Sequence, residues 1–493
     1  MQQLGKHTVI YGFGYVLTRL IPFFLTPFYT NVFLPEKFGI ISLVFVDIAF
    51  MNVIYRYGID SAFLRFFSKK GKDFSKNSVF STAIASLIVT GILFSVCIFF
   101  FSDPIASFLP GLDGYGLFIK YAAIILFLDT FTAIPLLYLR MENRSLVFIT
   151  ISIVNVSINL ISNIILIVYL KWGIEAALIS NIIASGFSFI VLIPLSIKNW
   201  TFNIPSKLWK KMVKFGTPFI FSGIATMILE LVGRNMLQIF TDTETQAIYS
   251  SGYKLGIFML VLVTAFKFAW QPFFLSKDKD PKAPELFSRV LTIFSFVMIG
   301  VFLVVSFFIH NIITFNFGTF TFFGESYWQA ESVVPIILAS YIFLGLYINF
   351  QPPIFFTERT WVFPFITGSA AIVCIILNSI LIQKFGMIGA AYSTLFSYIW
   401  MAGLTYFIIR KWYKIPYEWN KIFIIFLSGG FVAFIFYFFS VKNILLKILL
   451  IIVYFALNFG FKIVSYKKLL ILVKMKKNKE IRNILKNEKS WKK

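Results

Sequence analysis

Histidine, cysteine and charge are all scarce in this sequence. Of its 493 residues only 2 are His and 2 are Cys, and charged residues make up 13%, about half the share usual in a soluble domain. So little charge cannot cover a water-facing surface, which excludes a cytosolic enzyme and a nucleic-acid-binding protein. His7 and His310 alone leave little material for a His-based metal or catalytic site. Cys97 and Cys374 fall in apolar stretches far apart in the chain, so they are expected as buried, inert thiols rather than a disulfide. No Walker-type phosphate loop occurs.

What is abundant is apolar: 59% hydrophobic residues, 64 of them Phe, and a mean hydropathy of +0.84. A helix needs roughly 20 such residues to cross about 30 Å of hydrocarbon, and windows of that length predict about fourteen spans. These run 8–31, 39–57, 78–101, 116–139, 146–169 and 174–197, then 214–237, 247–275, 287–309, 330–356, 361–383 and 387–409, with a final pair at 419–440 and 443–466. The expected fold is therefore an all-α polytopic membrane protein. The first apolar stretch is too long for a signal-peptide core and is expected to be retained as a span.

Lys and Arg in the short loops set orientation. Arg65, Lys69, Lys70, Lys72 and Lys76 follow the second span, Lys198, Lys207, Lys210 and Lys211 the sixth, and Arg410, Lys411 and Lys414 the twelfth. Loops 102–115, 241–246 and 310–328 have neither. Alternate loops are thus basic and nearly neutral, which puts both termini in the cytoplasm. The excess of 45 basic over 21 acidic residues is largely this topology. Residues 462–493 carry twelve Lys or Arg and two Glu, a basic tail suited to anionic inner-leaflet lipids.

Three short matches join the first six spans to the next six. Pro135 with Phe148-Ile149-Thr150 aligns with Pro352 and Phe365-Ile366-Thr367, and Arg65-Phe66-Phe67-Ser68-Lys69 with Phe273-Phe274-Leu275-Ser276-Lys277. Gly173, Ala177 and Ser180 align with Gly386, Ala390 and Ser393. Halves of six spans cross in the same sense, which implies two lobes around a central cavity. The expected organisation is a lobe at 1–197, a linker at 198–213, a second lobe at 214–410, accessory helices at 411–466 and the tail at 467–493.

Charges inside the spans cost at least about 2.5–3.5 kcal/mol each on insertion scales and so favour a cavity. Arg19 lies midway along the first span, Asp47 and Arg56 in the second, and Asp129 in the fourth. Glu230 and Arg234 share a face of the seventh, four residues apart. Lys254 lies in the outer half of the eighth span and Lys267 deeper, with Thr264 and Gln271 on the face of Lys267. Lys254 does not share that face, so both lysines reach one cavity only if the helix bends or the cavity is broad. The bland reading is a structural Glu230–Arg234 pair, snorkelling by Arg56 and Lys254, and an Asp129 satisfied by neighbouring threonines. The sharper reading is a cationic cavity of Arg19, Arg56, Arg234, Lys254 and Lys267 for an anionic headgroup such as a phosphate or diphosphate. Asp47, Asp129, Glu230 and Gln271 would be its polar and coupling residues.

The stretch Tyr11-Gly12, Arg19, Pro27-Phe28-Tyr29-Thr30, Leu34-Pro35 and Phe38-Gly39 resembles the opening of bacterial oligosaccharide (O-antigen and polysaccharide) flippases. These belong to the multidrug/oligosaccharidyl-lipid/polysaccharide exporter superfamily. Tyr55-Arg56-Tyr57-Gly58, Gly252-Tyr253-Lys254-Leu255 and Ala269-Trp270-Gln271-Pro272 continue the resemblance, which covers about residues 1–410. It implies a non-enzymatic carrier of undecaprenyl-diphosphate-linked oligosaccharide across the bacterial cytoplasmic membrane. It further implies membrane lipids and glycan-assembly proteins as partners, no nucleic acid, and no cofactor beyond a coupling ion, Na+ or H+. Family members commonly carry Asp-Arg late in the seventh span, whereas this chain reads Gly233-Arg234, with Glu230 one turn earlier. Two alternatives remain: an ion-coupled multidrug exporter, which favours acidic cavities, and a membrane glycosyltransferase or polymerase, for which the longest outer loop offers Glu325 alone with His310 at its edge.

Overall fold

The computed structural model describes residues 23, 25–68, 74–142, 144–275, 277, 280–316, 318, 321–357, 359, 361–461 and 463. Arg19, the basic tail and most of the span expected at 8–31 lie outside them. Among the described residues there is no strand beyond one isolated bridge, Asn316 to Thr321. In chain order the helices are α1 Leu25–Val32, α2 Pro35–Arg56, α3 Ile59–Ser68, α4 Lys76–Phe100, α5 Ser102–Phe108, α6 Gly116–Met141 and α7 Ser145–Ile164. A π-helical turn, Ile165–Tyr169, extends α7. Then come α8 Glu175–Asn199, α9 Ser206–Phe240, α10 Thr243–Leu255, α11 Ile257–Leu275 and α12 Ala283–Ile313. A 3-10 helix, Glu325–Ser332, precedes α13 Val334–Asn349, α14 Pro352–Phe356, α15 Val362–Ile409, α16 Trp419–Phe438 and α17 Ile444–Gly460.

Among the described residues, 11 helices are long and apolar enough to cross a membrane. The chain is a multi-pass membrane protein. Local chemistry explains the helix ends. Pro35 opens α2, where its missing N–H is no loss. Ser75, Asp242 and Asn443 cap the starts of α4, α10 and α17 by accepting from backbone N–H groups at 3.1, 2.7 and 2.8 Å. Two of the expected spans merge into the 48-residue α15, interrupted only at Gly386, whose φ of 54° is open to glycine. The span expected at 247–275 instead breaks at Gly256 into α10 and α11. A Cβ there would lie 2.7 Å from Ile337 and 2.9 Å from Tyr341, so glycine is required by close approach to α13.

The chain forms two compact units. The first comprises Met1–Ser276 with Ile309–Trp412. Within it, α9 begins eight residues before the expected span. Its amphipathic first turns put Leu208 and Met212, both 0% exposed, into a core with Phe63, Phe80 and Ile134. Further along, α9 packs on α15. Cys374 is buried, but Cys97 is exposed on α4, contrary to expectation. A lipid-facing helix surface exposes its apolar side chains, and a thiol there needs no burial.

The second unit comprises Lys277–Phe308 with Tyr413–Lys493. Tyr454 donates to the Phe296 carbonyl at 2.9 Å, and Phe307 stacks on Phe436 at 4.0 Å. At the start of α16, Glu418 accepts from Lys421 Nζ at 2.6 Å and from Thr292 Oγ1 at 2.8 Å. Partial burial pushes the Glu418 carboxyl up, but these bonds, with the charges of Lys421 and Arg289, outweigh it and hold it below its ordinary value. A carboxyl depressed by folding stabilises above its unfolded pKa and loses that contribution as pH falls through its folded value. Glu418→Gln is therefore expected to flatten the acid-side fall of melting temperature below about pH 4.5. Fluorescence melting in detergent at stepped pH measures it, and an unchanged acid limb contradicts it.

Candidate functional site

The charged residues of the first unit sort themselves along α9. On α2, Asp47 accepts from Asn235 Nδ2 at 3.4 Å, which ties that helix to the residue after Arg234. Arg234 is half-buried, with its guanidinium 4.8 Å from the Tyr253 ring centre and its Nε buried without a hydrogen-bond partner. Lys254 lies within electrostatic range of Arg234 and places its ammonium 4.8 Å from the ring centre of Phe38. Glu230, one turn before Arg234, is in electrostatic range of Lys267, Tyr341 and Tyr398. Lys267 and Gln271 are exposed on α11. The break at Gly256 frees the two lysines from one helical register, so each addresses a different member of the Glu230–Arg234 pair.

Arg56 and Asp129 form a separate group. The Asp129 carboxylate accepts from Ser185 Oγ at 2.7 Å, while Thr132 Oγ1 donates to the Asp129 backbone carbonyl at 3.0 Å, and Arg56 is within electrostatic range of the carboxylate. Asp47 and Asp129 thus have different partners, Asn235 and Ser185. Arg56 borders a cavity of about 530 Å³. Asn52, Asp60 and Ser61 line one side of it, and Ser222, Gly223 and Thr226 on α9 the other. Arg56 Nε and Asn52 Oδ1 are buried and lack hydrogen-bond partners. A half-buried guanidinium with spare donor capacity, facing hydroxyls and an amide, can hold a phosphate group, with the Asp60 carboxylate on the same wall opposing it in part.

Sequence reasoning missed most of the cavity wall. Ser222, Thr226, Glu230 and Arg234 recur at a spacing of four, a polar stripe along one face of α9 that was open to detection. Tyr253, Tyr341 and Tyr398 had no such signal. They are buried at 7%, 2% and 2% exposure, and a buried tyrosine reads like any other aromatic in an apolar span. Tyr253 supplies the face on which Arg234 rests. Tyr253→Phe is expected to keep that contact and Tyr253→Leu to lose it, at a cost of about 0.5–2 kcal/mol. Detergent melting temperatures compare the two variants, and equal losses would dismiss the ring's role.

A family model described as polysaccharide biosynthesis protein matches residues 4–277, more than half of the chain. The chain belongs to this family. Among solved structures, this family member is similar to the lipid II flippase MurJ in an inward closed conformation, at 19% identity and a TM-score of 0.74. That match covers 94% of this chain and 100% of MurJ. A MATE transporter mutant, VcmN of Vibrio cholerae, is similar at 16% identity and a TM-score of 0.56, over 83% of this chain and 96% of the transporter. A MOP superfamily transporter from Pyrococcus furiosus gives 13%, a TM-score of 0.59, and coverage of 83% and 96%. At these identities the likeness establishes the fold, which is that of MurJ and the MATE transporters. No curated protein sequence matches this family member significantly.

Proposed function

We propose that the protein is a flippase. It moves an undecaprenyl-diphosphate-linked oligosaccharide from the cytoplasmic to the outer leaflet of a bacterial inner membrane, by alternating access of lobes 1–197 and 214–410. The observation that carries this reading is Arg56, a half-buried guanidinium in the last turn of α2 with an unpartnered Nε and a polar cavity beside it. Asp129 within its electrostatic range offsets part of the cost of burying this charge, and a diphosphate headgroup would offset more. Arg19, Arg234, Lys254 and Lys267 are the further cations of the path. Asp47, Asp129, Glu230 and Gln271 are its polar and coupling residues, with Na+ or H+ as the coupling ion. Membership of a polysaccharide biosynthesis family and likeness in fold to a protein titled lipid II flippase both support the reading. In this reading both termini are on the cytoplasmic side, where the basic composition of residues 467–493 suits anionic lipid.

Deleting the gene tests it. Lipid-linked oligosaccharide is expected to accumulate on the cytoplasmic leaflet while surface glycan disappears, with rescue by the wild-type gene. Normal surface glycan in a deletion strain that has no second flippase overturns the reading. Rescue by both Arg19→Ala and Lys267→Ala would remove those two residues from the path.

A further inference from the structure

A second polar cavity in the first unit lies where the end of α1 and the turn into α2, residues 30–34, meet residues 321–326. Its volume is about 470 Å³, inside the roughly 300–1,000 Å³ range of small-molecule clefts. Its chemistry leans towards acceptors, with the exposed Asn316 amide adding both a donor and an acceptor. Asn31 spends its Nδ2 protons on the carbonyls of Pro27 at 2.8 Å and Thr321 at 2.7 Å, so its remaining capacity is the Oδ1 acceptor. Thr321 Oγ1 donates to the Phe323 carbonyl at 2.6 Å and keeps only lone pairs. Glu325 adds an exposed carboxylate. Ser326 contributes the one side-chain hydroxyl on this edge with no such commitment.

An acceptor-rich wall suits a ligand that donates many hydrogen bonds, and Glu325 repels a phosphate. We infer that this cleft binds a neutral, polyhydroxylated sugar ring. Resting on the flippase reading, the sugar is part of the translocated glycan, received on the side where loop 310–328 carries no Lys or Arg. The headgroup is then handled by two sites of opposite character: cations for the diphosphate, acceptors for the sugar hydroxyls. The cleft also sits on a junction. Asn31 bonds to Thr321 across 290 residues, and Tyr327 Oη donates to the Phe33 carbonyl at 2.9 Å.

The test uses the full chain in detergent and saturation-transfer NMR with glucose, galactose, rhamnose and N-acetylglucosamine. At least one sugar is expected to bind in the millimolar range. Glu325→Leu should weaken it about tenfold, the effect of losing a hydrogen bond to a charged group. Ser326→Val should weaken it less. No binding by any of the four, or binding unaltered in both variants, overturns the inference. Protection from thermal unfolding by calcium but by no sugar also overturns it, assigning the cleft to a cation. The assay involves no transport, so sugar binding lost in Glu325→Leu, together with normal surface glycan in the deletion strain, would keep the cleft and sink the flippase reading.

Discussion

Arg56→Ala is expected to give a folded protein, inserted in the membrane, that no longer supports surface glycan. The guanidinium has an unpartnered buried Nε beside a cavity of about 530 Å³, and its removal forfeits a charge interaction with Asp129 in the resting protein. It also removes the ligand's counter-charge in a low-dielectric place. Truncating one partner of such a pair costs about 2–5 kcal/mol, which corresponds to a transport loss on the order of 10²-fold. Arg56→Lys keeps the charge but loses the planar fork, and should fall between the two. A purely structural role is separable, because Asp129 lies within range of Arg56. If Arg56 serves only to balance Asp129, the double variant Arg56→Ala with Asp129→Asn recovers transport; if Arg56 holds substrate, it does not. Surface glycan normalised to membrane protein level gives the answer.

Gly58→Ala is expected to destabilise the protein severely. Gly58 joins α2 to α3 with φ at +77°, and a Cβ there would sit 2.1 Å from the Gly216 carbonyl oxygen on α9. The left-handed backbone costs an L-residue about 1–2 kcal/mol. Overpacking against backbone adds about 1–3 kcal/mol, since no side chain can swing away. Gly114 separates the two costs: its φ is +78°, yet nothing lies within 4 Å of its Cβ position. Gly114→Ala should therefore pay only the conformational part. Melting temperatures in detergent and the yield of monodisperse protein compare the variants. Equal losses at the two positions would show that the approach of α3 to α9 is loose.

Hydropathy made most of the spans legible, because a bilayer demands length and apolarity and both are local properties. What it hid was also physical. The first turns of α9 carry Lys207, Lys210 and Lys211, so an averaging window excludes them, yet Leu208 between those lysines and Met212 just after them are wholly buried. The break at Gly256 answers to Ile337 and Tyr341, more than 80 residues away. The candidate site divided in the same way. Asp47, Asp129, Glu230 and Arg234 stood out because hydrocarbon penalises charge wherever it occurs. Their partners did not, since Asn235 meets Asp47 across 188 residues and Ser185 meets Asp129 across 56. The unreached information was pairing between helices, which leaves no pattern along one strand of text.

The long helix α9 is held at Leu208 and Met212 among the helices that precede it, at Gly216 against Gly58, and further on along α15. Pro218 lies just past Gly216, and a proline inside a helix removes one backbone hydrogen bond and weakens it against bending. A beam clamped at both ends with one soft point deforms at that point. Swinging of the clamps would therefore concentrate at Pro218, beside Phe219 and Ser222 of the Arg56 cavity. A bend there would change the volume around Arg56, because Phe219 and Ser222 belong to that cavity's wall.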